Sequence, residues 1–189
     1  MTEDVITVSF CHDGVLDRIK NTEAIALGIF EDERPLKGMT GFVDWRLHGL
    51  LSRLILQHRL DGSFLEGCLI PSRGRLPMDK VFLFGLGALE DLCARTFQRV
   101  IFQIVATMSK AGVDHFALSL WDLTRGRVAP EEATRIVLRA FLSDRQHRSG
   151  GGRTAVTFVE TGPWGHALRD GFLRLSERRD ELPVRLELH

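Results

Sequence analysis

The stretch EAIALGIF, residues 23–30, restricts the fold of this chain more than any other feature of the sequence. It is apolar almost without interruption, and it lacks the alternation of polar and apolar residues that marks a strand with one solvated face. A strand of this composition is covered on both faces. The stretch KVFLFG, residues 80–85, has the same character. The sequence therefore predicts a sheet whose central strands lie between two layers of helices.

Segments with helical spacing of apolar residues alternate with the strands along the chain. Residues 40–59 place Val43, Leu47, Leu51 and Leu54 on one stripe, which predicts a single long amphipathic helix. Further helices are predicted from residue 89 to Gly112, from Pro130 onward and over residues 163–179, and further strands at residues 5–10, 67–72, 115–121, 154–160 and 183–189.

This alternation predicts an α/β fold, a three-layer α/β/α sandwich with a mixed sheet. The strict alternation of the first and last strands favours places at the edges of the sheet, with antiparallel pairing. No shift in composition divides the chain, and a single domain over residues 1–189 is expected.

Composition excludes several classes of function. The formal net charge is zero, so no global field attracts the chain to nucleic acid or to an anionic membrane. Neither a signal peptide nor a membrane-spanning segment is recognisable in the sequence. The three cysteines, Cys11, Cys68 and Cys93, are widely spaced and form no CxxC pair, so we expect neither disulfides nor a metal site. A cytoplasmic location fits this cysteine content best.

The order of elements from Ala24 to Leu120 resembles the N-terminal domain of the leucyl aminopeptidase family of cytosolic metallopeptidases. The resemblance lies in AIALGIFEDERPLKG, in an amphipathic helix ending in LLSRLI, in LEGCLIPSRGRLPMDKVFLFGLGALEDL, and in a helix followed by KAGVDHFALSL. Residues 131–177 resemble the end of that domain more weakly. The resemblance implies a macro-domain-like fold, with a mixed sheet sandwiched by helices.

The same resemblance implies that the chain is not an enzyme. The two-zinc site of the family lies in a separate C-terminal domain, in motifs of the type Gly-Lys-Gly…Asp-Ser-Gly-Gly and Asn-Thr-Asp-Ala-Glu-Gly-Arg. Neither motif occurs here, so no catalytic residue is carried over, and we expect no metal or cofactor. What is implied is a stand-alone, non-catalytic homologue that acts through protein contacts, either by self-association or by docking to another chain.

The motif Gly85-Leu86-Gly87 follows a predicted strand and precedes a predicted helix, an arrangement that can bind phosphate. A dinucleotide fingerprint would require a third glycine where Glu90 stands, and Asp91 adds a second carboxylate. We therefore interpret Gly85 and Gly87 as a tight strand-to-helix connection, with a phosphate site as the alternative.

The macro-like fold raises a second possible function, the binding of a nucleotide or an ADP-ribose derivative. Residues 160–167, ETGPWGHA, follow a predicted strand and open a helix. There Gly162 would let the backbone approach a phosphate and Trp164 would stack on a base, with Gly165 as a further candidate. The alternative is a proline at a helix start with Trp164 packed in the core. The asparagine-rich loop of ADP-ribose-binding macro domains is missing, and the glycine-rich residues 148–156 precede a strand instead of following one.

Two further clusters of polar residues are interpreted as structural features and not as functional sites. Cys11 and His12 are adjacent, whereas a catalytic pair must approach through space, so the sequence CHDG predicts a turn. Arg145, His147, Arg148 and Arg153 form a local basic patch that lacks interleaved aromatic residues, so we interpret it as a solvated loop and not as a nucleic-acid site.

Overall fold

The computed structural model describes residues 5–11, 16–19, 21–147, 153–177 and 185–188. The described strands are β1 (Val5–Cys11), β2 (Ala24–Phe30), β3 (Gly67–Pro71), β4 (Lys80–Gly87), β5 (His115–Leu118), β6 (Arg153–Val159) and β7 (Arg185–Leu188). The described helices are α1 (Gly38–Arg46), α2 (Leu50–Leu56), α3 (Ala94–Lys110), α4 (Leu120–Thr124), α5 (Pro130–His147) and α6 (Gly162–Glu177).

The strands form one mixed sheet in the order β3-β4-β2-β5-β6-β1-β7. Only the β3–β4 pair is antiparallel among the described strands; all other neighbours run parallel. Helices cover both faces, so the predicted α/β/α sandwich is confirmed. Every residue of β2 is buried, which agrees with the two-sided cover that its apolar sequence requires.

The two faces of the sheet are covered to different extents. On one face, α3, α5 and α6 build a core that includes residues from β1, β2, β4, β5 and β6. On the other face, α1 and α2 pack mainly on β2, β4 and β5 through Val43, Leu47 and Leu51. β1, next to β7, therefore has one well-covered face and one partly exposed face.

This asymmetry corrects the prediction for the first strand. β1 is not an edge strand, because it lies between β6 and β7 and pairs parallel with both. Ile6 and Val8 are buried on the side of α5 and α6, whereas Val5 and Thr7 are only partly buried. The alternation in its sequence reflects cover on one face and not a free edge. The predicted antiparallel pairing of the terminal strands is likewise wrong for the residues described.

The predicted single helix over residues 40–59 is wrong, because the chain breaks into α1 and α2. His48 and Gly49 take left-handed backbone angles, with φ of 56° and 72°. Asp44 stabilises the break: its Oδ1 accepts hydrogen bonds from the backbone N–H of Leu51 at 2.7 Å and of Ser52 at 3.2 Å. A carboxylate in this position caps the first turn of α2. The apolar stripe survives because both helices lie on the same face of the sheet.

Two other boundaries differ from the prediction. The strand expected over residues 115–121 ends at Leu118, and α4 follows it after Ser119, whose Oγ accepts a hydrogen bond from Asp122 N at 3.2 Å. The helix expected from residue 89 begins at Ala94, after a single 3₁₀ turn. The starts of α5 at Pro130 and of β5 at His115 agree with the sequence.

Several sequence features fall wholly or partly outside the described residues. These are His12 and Asp13, the glycine-rich residues 148–152, and Arg148 of the basic patch. Among the helices that are described, none has the length and apolarity that crossing a membrane requires.

Candidate functional site

The topology of the sheet points to one crevice. The chain leaves β2 towards β3 and β4 on one side, and it leaves β5 towards β6 on the other. Neighbouring parallel strands whose connections diverge in this way leave a crevice at their carboxyl ends, where open α/β sheets bind ligands. A cavity of about 370 Å³ lies here, and it is lined by Gly38, Met39, Phe42, Ser119, Trp121, Asp122, Val159, Glu160 and Thr161.

Glu160, the residue directly after β6, is the most buried polar group of this crevice. It is only 1% exposed. Its carboxyl oxygen Oε1 accepts hydrogen bonds from the backbone N–H of Leu120 and, at 3.3 Å, of Trp121. These are the first amides of α4, so the carboxyl of one strand end caps the helix that follows the neighbouring strand. Burial, together with the nearby charge of Asp122, raises the pKa of Glu160 to about 8.

Asp122, in α4, is the second buried carboxyl of the crevice. Its Oδ2 accepts a hydrogen bond from the backbone N–H of Met39, in the first turn of α1. Its Oδ1 pairs with Arg125 Nη1 at 2.6 Å, and Arg125 also pairs with Glu33 at 2.7 Å. Burial is the main cause that raises the pKa of Asp122, and the charge of Glu33 adds to it. Gly38 has φ of +57°, and a Cβ there would overlap the Asp122 carboxyl.

Aromatic rings form the mouth of the crevice. Trp121 is 44% exposed, and its ring meets Trp164 edge-on with centroids 5.9 Å apart. Gly126 lies so close under Trp121 that a Cβ would come within 2.9 Å of the indole ring. Phe42 lines the crevice from α1 and contacts Trp45, whose side chain is 70% exposed. The indole of Trp121 is thus fixed in place by its neighbours.

The hydrogen bonds around the crevice leave few donors for an anion. The amides of Leu120 and Trp121 donate to Glu160, that of Met39 donates to Asp122, and that of Asp122 donates to Ser119. A phosphate held at a helix N-terminus needs such amides to be available. What the crevice presents instead is carboxyl oxygen. Within the described part of the chain, no group of three or more His, Cys, Asp or Glu side chains is placed to hold a metal ion.

The Gly-x-Gly motif lies in β4, away from the residues that line this crevice. Gly85 exchanges backbone hydrogen bonds with Leu65 and Glu66, and Gly87 N donates to Gly62 O at 3.0 Å. A Cβ on Gly85 would overlap the carbonyl of Ser63. The glycines therefore allow the loop over residues 62–66 to pack directly on the strand, and their amides have backbone partners.

The residues that the sequence suggested for nucleotide binding, Gly162, Trp164 and Gly165, lie beside the crevice and do not line it. Gly162 begins α6 with φ of +70°, and a Cβ on Gly165 would come within 2.8 Å of Glu160 Cβ. Trp164 packs against the main core, and its Nε1 donates to Val128 O at 3.4 Å. Gly165 and Trp164 thus support the walls of the crevice by holding Glu160 and Trp121 in place.

Sequence reasoning missed the residues that line the crevice, chiefly Glu160, Asp122 and Trp121. For Glu160 a signal existed, because an acidic residue stands at the carboxyl end of an apolar strand, where α/β ligand sites form. Trp121 ends the segment that the sequence predicted as a strand, and Asp122 follows it. Their place in the first turn of the short helix α4 was therefore not predicted.

The chain matches the N-terminal domain of the cytosol aminopeptidase family over residues 26–145. This match covers more than half of the chain. The chain belongs to the cytosol aminopeptidase family. A probable cytosol aminopeptidase from Alkaliphilus oremlandii is 32% identical over 117 residues, which are 61% of this chain and 23% of that protein. The chain thus spans about a quarter of the length of this aminopeptidase relative.

Solved structures confirm the macro-domain-like fold of this family member. A mutant of tomato leucine aminopeptidase superposes with a TM-score of 0.63 at 14% identity, covering 90% of this chain and 36% of that one. A Trypanosoma brucei macrodomain in complex with ADP superposes with a TM-score of 0.65 at 14% identity, covering 87% of this chain and 67% of that one. At these identities the likeness is one of fold.

Replacing Gly85 tests the interpretation of the Gly-x-Gly motif as a packing device. We expect Gly85→Ala to lower the free energy of unfolding by about 2–4 kcal/mol, because its Cβ would overlap the Ser63 carbonyl. Gly67→Ala is the matched control, since its Cβ would meet only Gln103 Nε2, at 3.9 Å. Urea denaturation of both variants measures the difference. Equal stability of the two variants would contradict the packing role.

The buried Glu160 carboxyl predicts a pH-dependent stability. Its pKa rises from 4.5 in the unfolded chain to about 8 in the folded one. Between these values the folded state holds a proton that the unfolded state has lost, so the contribution of Glu160 to stability is greatest below pH 4.5 and falls as pH rises towards 8. The slope for one proton is at most about 1.4 kcal/mol per pH unit.

Glu160→Gln keeps an oxygen acceptor for the Leu120 and Trp121 amides but does not ionise. Urea denaturation between about pH 5 and about pH 8 is therefore expected to show a steeper loss of stability in the wild type than in Glu160→Gln. Parallel stability curves for the two proteins would show that Glu160 titrates as an exposed carboxylate does.

Proposed function

We propose that this chain is a non-catalytic member of the cytosol aminopeptidase family that works through protein contacts, and that the contact is with a second copy of itself. The proposed contact surface is the α1 patch, which we define as Phe42 and Trp45. A location in the cytoplasm accompanies this proposal, since the sequence relatives are named cytosol aminopeptidases.

The observation that carries the proposal is the exposure of Trp45. Its side chain is 70% exposed and rests against Phe42, with ring centroids 5.9 Å apart. The guanidinium of Arg46 lies 5.9 Å from the Phe42 ring centroid. Tryptophan and arginine are the residues that contribute most to the energy of protein interfaces. Burying this ring pair in an interface would remove a large apolar area from water.

A second copy is the occupant that the charge of the chain favours. The formal net charge is zero and the isoelectric point is about 7.1, so two copies do not repel one another at neutral pH. A twofold-symmetric contact needs one patch that fits itself. Adjacent aromatic rings on a short helix meet this need, because the rings of two copies can stack in an offset arrangement.

Two observations support the absence of catalysis. The family match lies in the N-terminal domain, over residues 26–145. In the crevice, the carboxyls of Glu160 and Asp122 are hydrogen-bonded to backbone amides, and Ser119 Oγ accepts from Asp122 N. A general base would instead need its lone pair directed at a nucleophile or a substrate proton. These side chains serve the ends of α1 and α4.

The alternative function is the binding of a nucleotide, and one observation favours it. The crevice lies at the switch point of the sheet, and a macrodomain of similar fold is known in complex with ADP. The hydrogen bonding of this chain weighs against the alternative, since the amides of Leu120, Trp121 and Met39 already have carboxyl partners. We therefore rank self-association first.

Sedimentation velocity of the pure full chain tests the proposal. Between about 5 µM and about 200 µM, the weight-average sedimentation coefficient should rise from that of a monomer towards that of a dimer. Trp45→Ser should weaken the dimer at least tenfold, because it removes the central ring of the α1 patch.

The matched control is Leu173→Ser, which changes another exposed apolar side chain on α6, 38% exposed. It should leave the dissociation constant unchanged. A wild type that stays monomeric at the highest concentration would overturn the proposal, as would equal effects of the two substitutions.

A further inference from the structure

The crevice at the switch point has the size of a ligand site. Its volume of about 370 Å³ lies within the range of small-molecule pockets. Glu160 and Asp122 supply its carboxyls, Ser119 and Thr161 supply hydroxyls, and the rings of Trp121 and Phe42 stand at its mouth. The chemistry of these groups restricts what it can hold.

The carboxyls of the crevice retain acceptor capacity, beside the hydroxyls of Ser119 and Thr161. Each carboxyl oxygen has two lone pairs, and the known donors to Glu160 and Asp122 occupy only some of them. The amide donors of the crevice are already paired, as described above. A ligand with several N–H donors therefore fits, whereas an anion would meet two carboxyls.

The charge balance favours a cation. None of the residues that line the crevice is a lysine, arginine or histidine. The nearest guanidinium, that of Arg125, is shared between Asp122 and Glu33, at 2.6 and 2.7 Å. Glu33 also pairs with Lys37, at 3.7 Å. Of the two carboxyls that line the crevice, Asp122 thus has a cationic partner, whereas Glu160 accepts from backbone amides. Burial is the main cause of the raised pKa values of Glu160 and Asp122, and a neighbouring carboxylate adds to each, Asp122 for Glu160 and Glu33 for Asp122.

The mouth of the crevice adds a second attraction for a cation on an apolar stem. Trp121 presents an indole ring that Trp164 and Gly126 hold in position. An ammonium group near an aromatic face is attracted by the ring quadrupole, and the attraction grows as water is excluded. A short carbon chain would rest against Trp121 and Phe42 while its charged end reached the carboxyls.

From these four features we infer that the crevice binds a primary alkylammonium group. Two sources of this chemistry exist, a free small amine and the side chain of a lysine in a polypeptide. The crevice shares Phe42 with the α1 patch, whereas Trp45 is not among the residues that line it. The two proposals are therefore tested separately, in protein that carries Trp45→Ser.

The test uses n-butylammonium as the probe, with isothermal titration calorimetry and amide NMR shifts as readouts. All measurements use Trp45→Ser protein at low concentration, so that self-association does not contribute. We expect saturable binding of n-butylammonium with a dissociation constant of about 1 mM, and none of butyrate or n-butanol. A second arm replaces the probe by Nα-acetyl-lysine amide; tighter binding of that compound identifies lysine in a polypeptide as the source, and weaker binding identifies the free amine.

Proton release gives a readout that a nonspecific contact would not produce. At pH 7 the Glu160 carboxyl is largely protonated, and a bound cation stabilises its ionised form. About one proton should therefore leave the protein for each cation bound, which calorimetry in two buffers of different ionisation enthalpy measures. Glu160→Gln should abolish the release.

Variants separate the crevice from other acidic surface. Asp122→Asn and Trp121→Leu should each weaken binding of n-butylammonium about tenfold or more. The control Glu131→Gln removes an exposed carboxylate on α5 and should have no effect. The inference is overturned if n-butylammonium fails to saturate a site up to about 50 mM. It is also overturned if the crevice variants, confirmed as folded by NMR, bind the probe as well as Glu131→Gln does.

Discussion

The hydrogen bonds from the Leu120 and Trp121 amides to the Glu160 carboxyl are the interaction on which the crevice depends. They join the end of β6 to the start of α4, which follows the neighbouring strand β5. Because Glu160 is 1% exposed, its carboxyl must be both hydrogen-bonded and largely neutral to be tolerated. Gly165 permits this arrangement, since a side chain at that position would press on the Cβ of Glu160. The same design recurs at α1, where Asp122 accepts from Met39 and Gly38 leaves room for the carboxyl.

The architecture could be predicted from the sequence because the patterns that indicate strands and helices lie within short segments of the chain. An uninterrupted apolar run placed β2 in the centre of the sheet, and Pro130 marked the start of α5. The break between α1 and α2 was not predicted, because the apolar stripe continues across it. His48, a non-glycine residue, takes left-handed backbone angles there, and Asp44 caps the helix that follows. The place of β1 was missed for a different reason, since a strand covered on one face alternates whether or not it lies at an edge.

The site was less predictable than the fold, because it is made by contacts between distant segments. Glu160 meets the start of α4 across 40 positions of sequence, and Asp122 meets α1 across 83. Neither pairing has a local motif. The sequence suggested ligand binding at glycine-containing turns instead. In the structure, Gly85 and Gly87 allow the loop over residues 62–66 to pack on β4. A pair of glycines in this position thus indicates that something packs closely on the backbone. Whether that is a ligand or another segment of the chain depends on the tertiary structure.

The fold of the chain and the chemistry of its crevice suggest different ligands. A macrodomain of similar fold is solved in complex with ADP. In this chain the carboxyls of Glu160 and Asp122 accept hydrogen bonds from the amides of Leu120, Trp121 and Met39. The most direct measurement is an amide NMR titration of the protein with ADP, following the Met39, Leu120 and Trp121 resonances. We expect these three amides not to shift, since their carboxyl partners remain in place. Saturable shifts of all three would show that a phosphate displaces Glu160 and Asp122. That result would contradict the claim that the two carboxyls hold these amides.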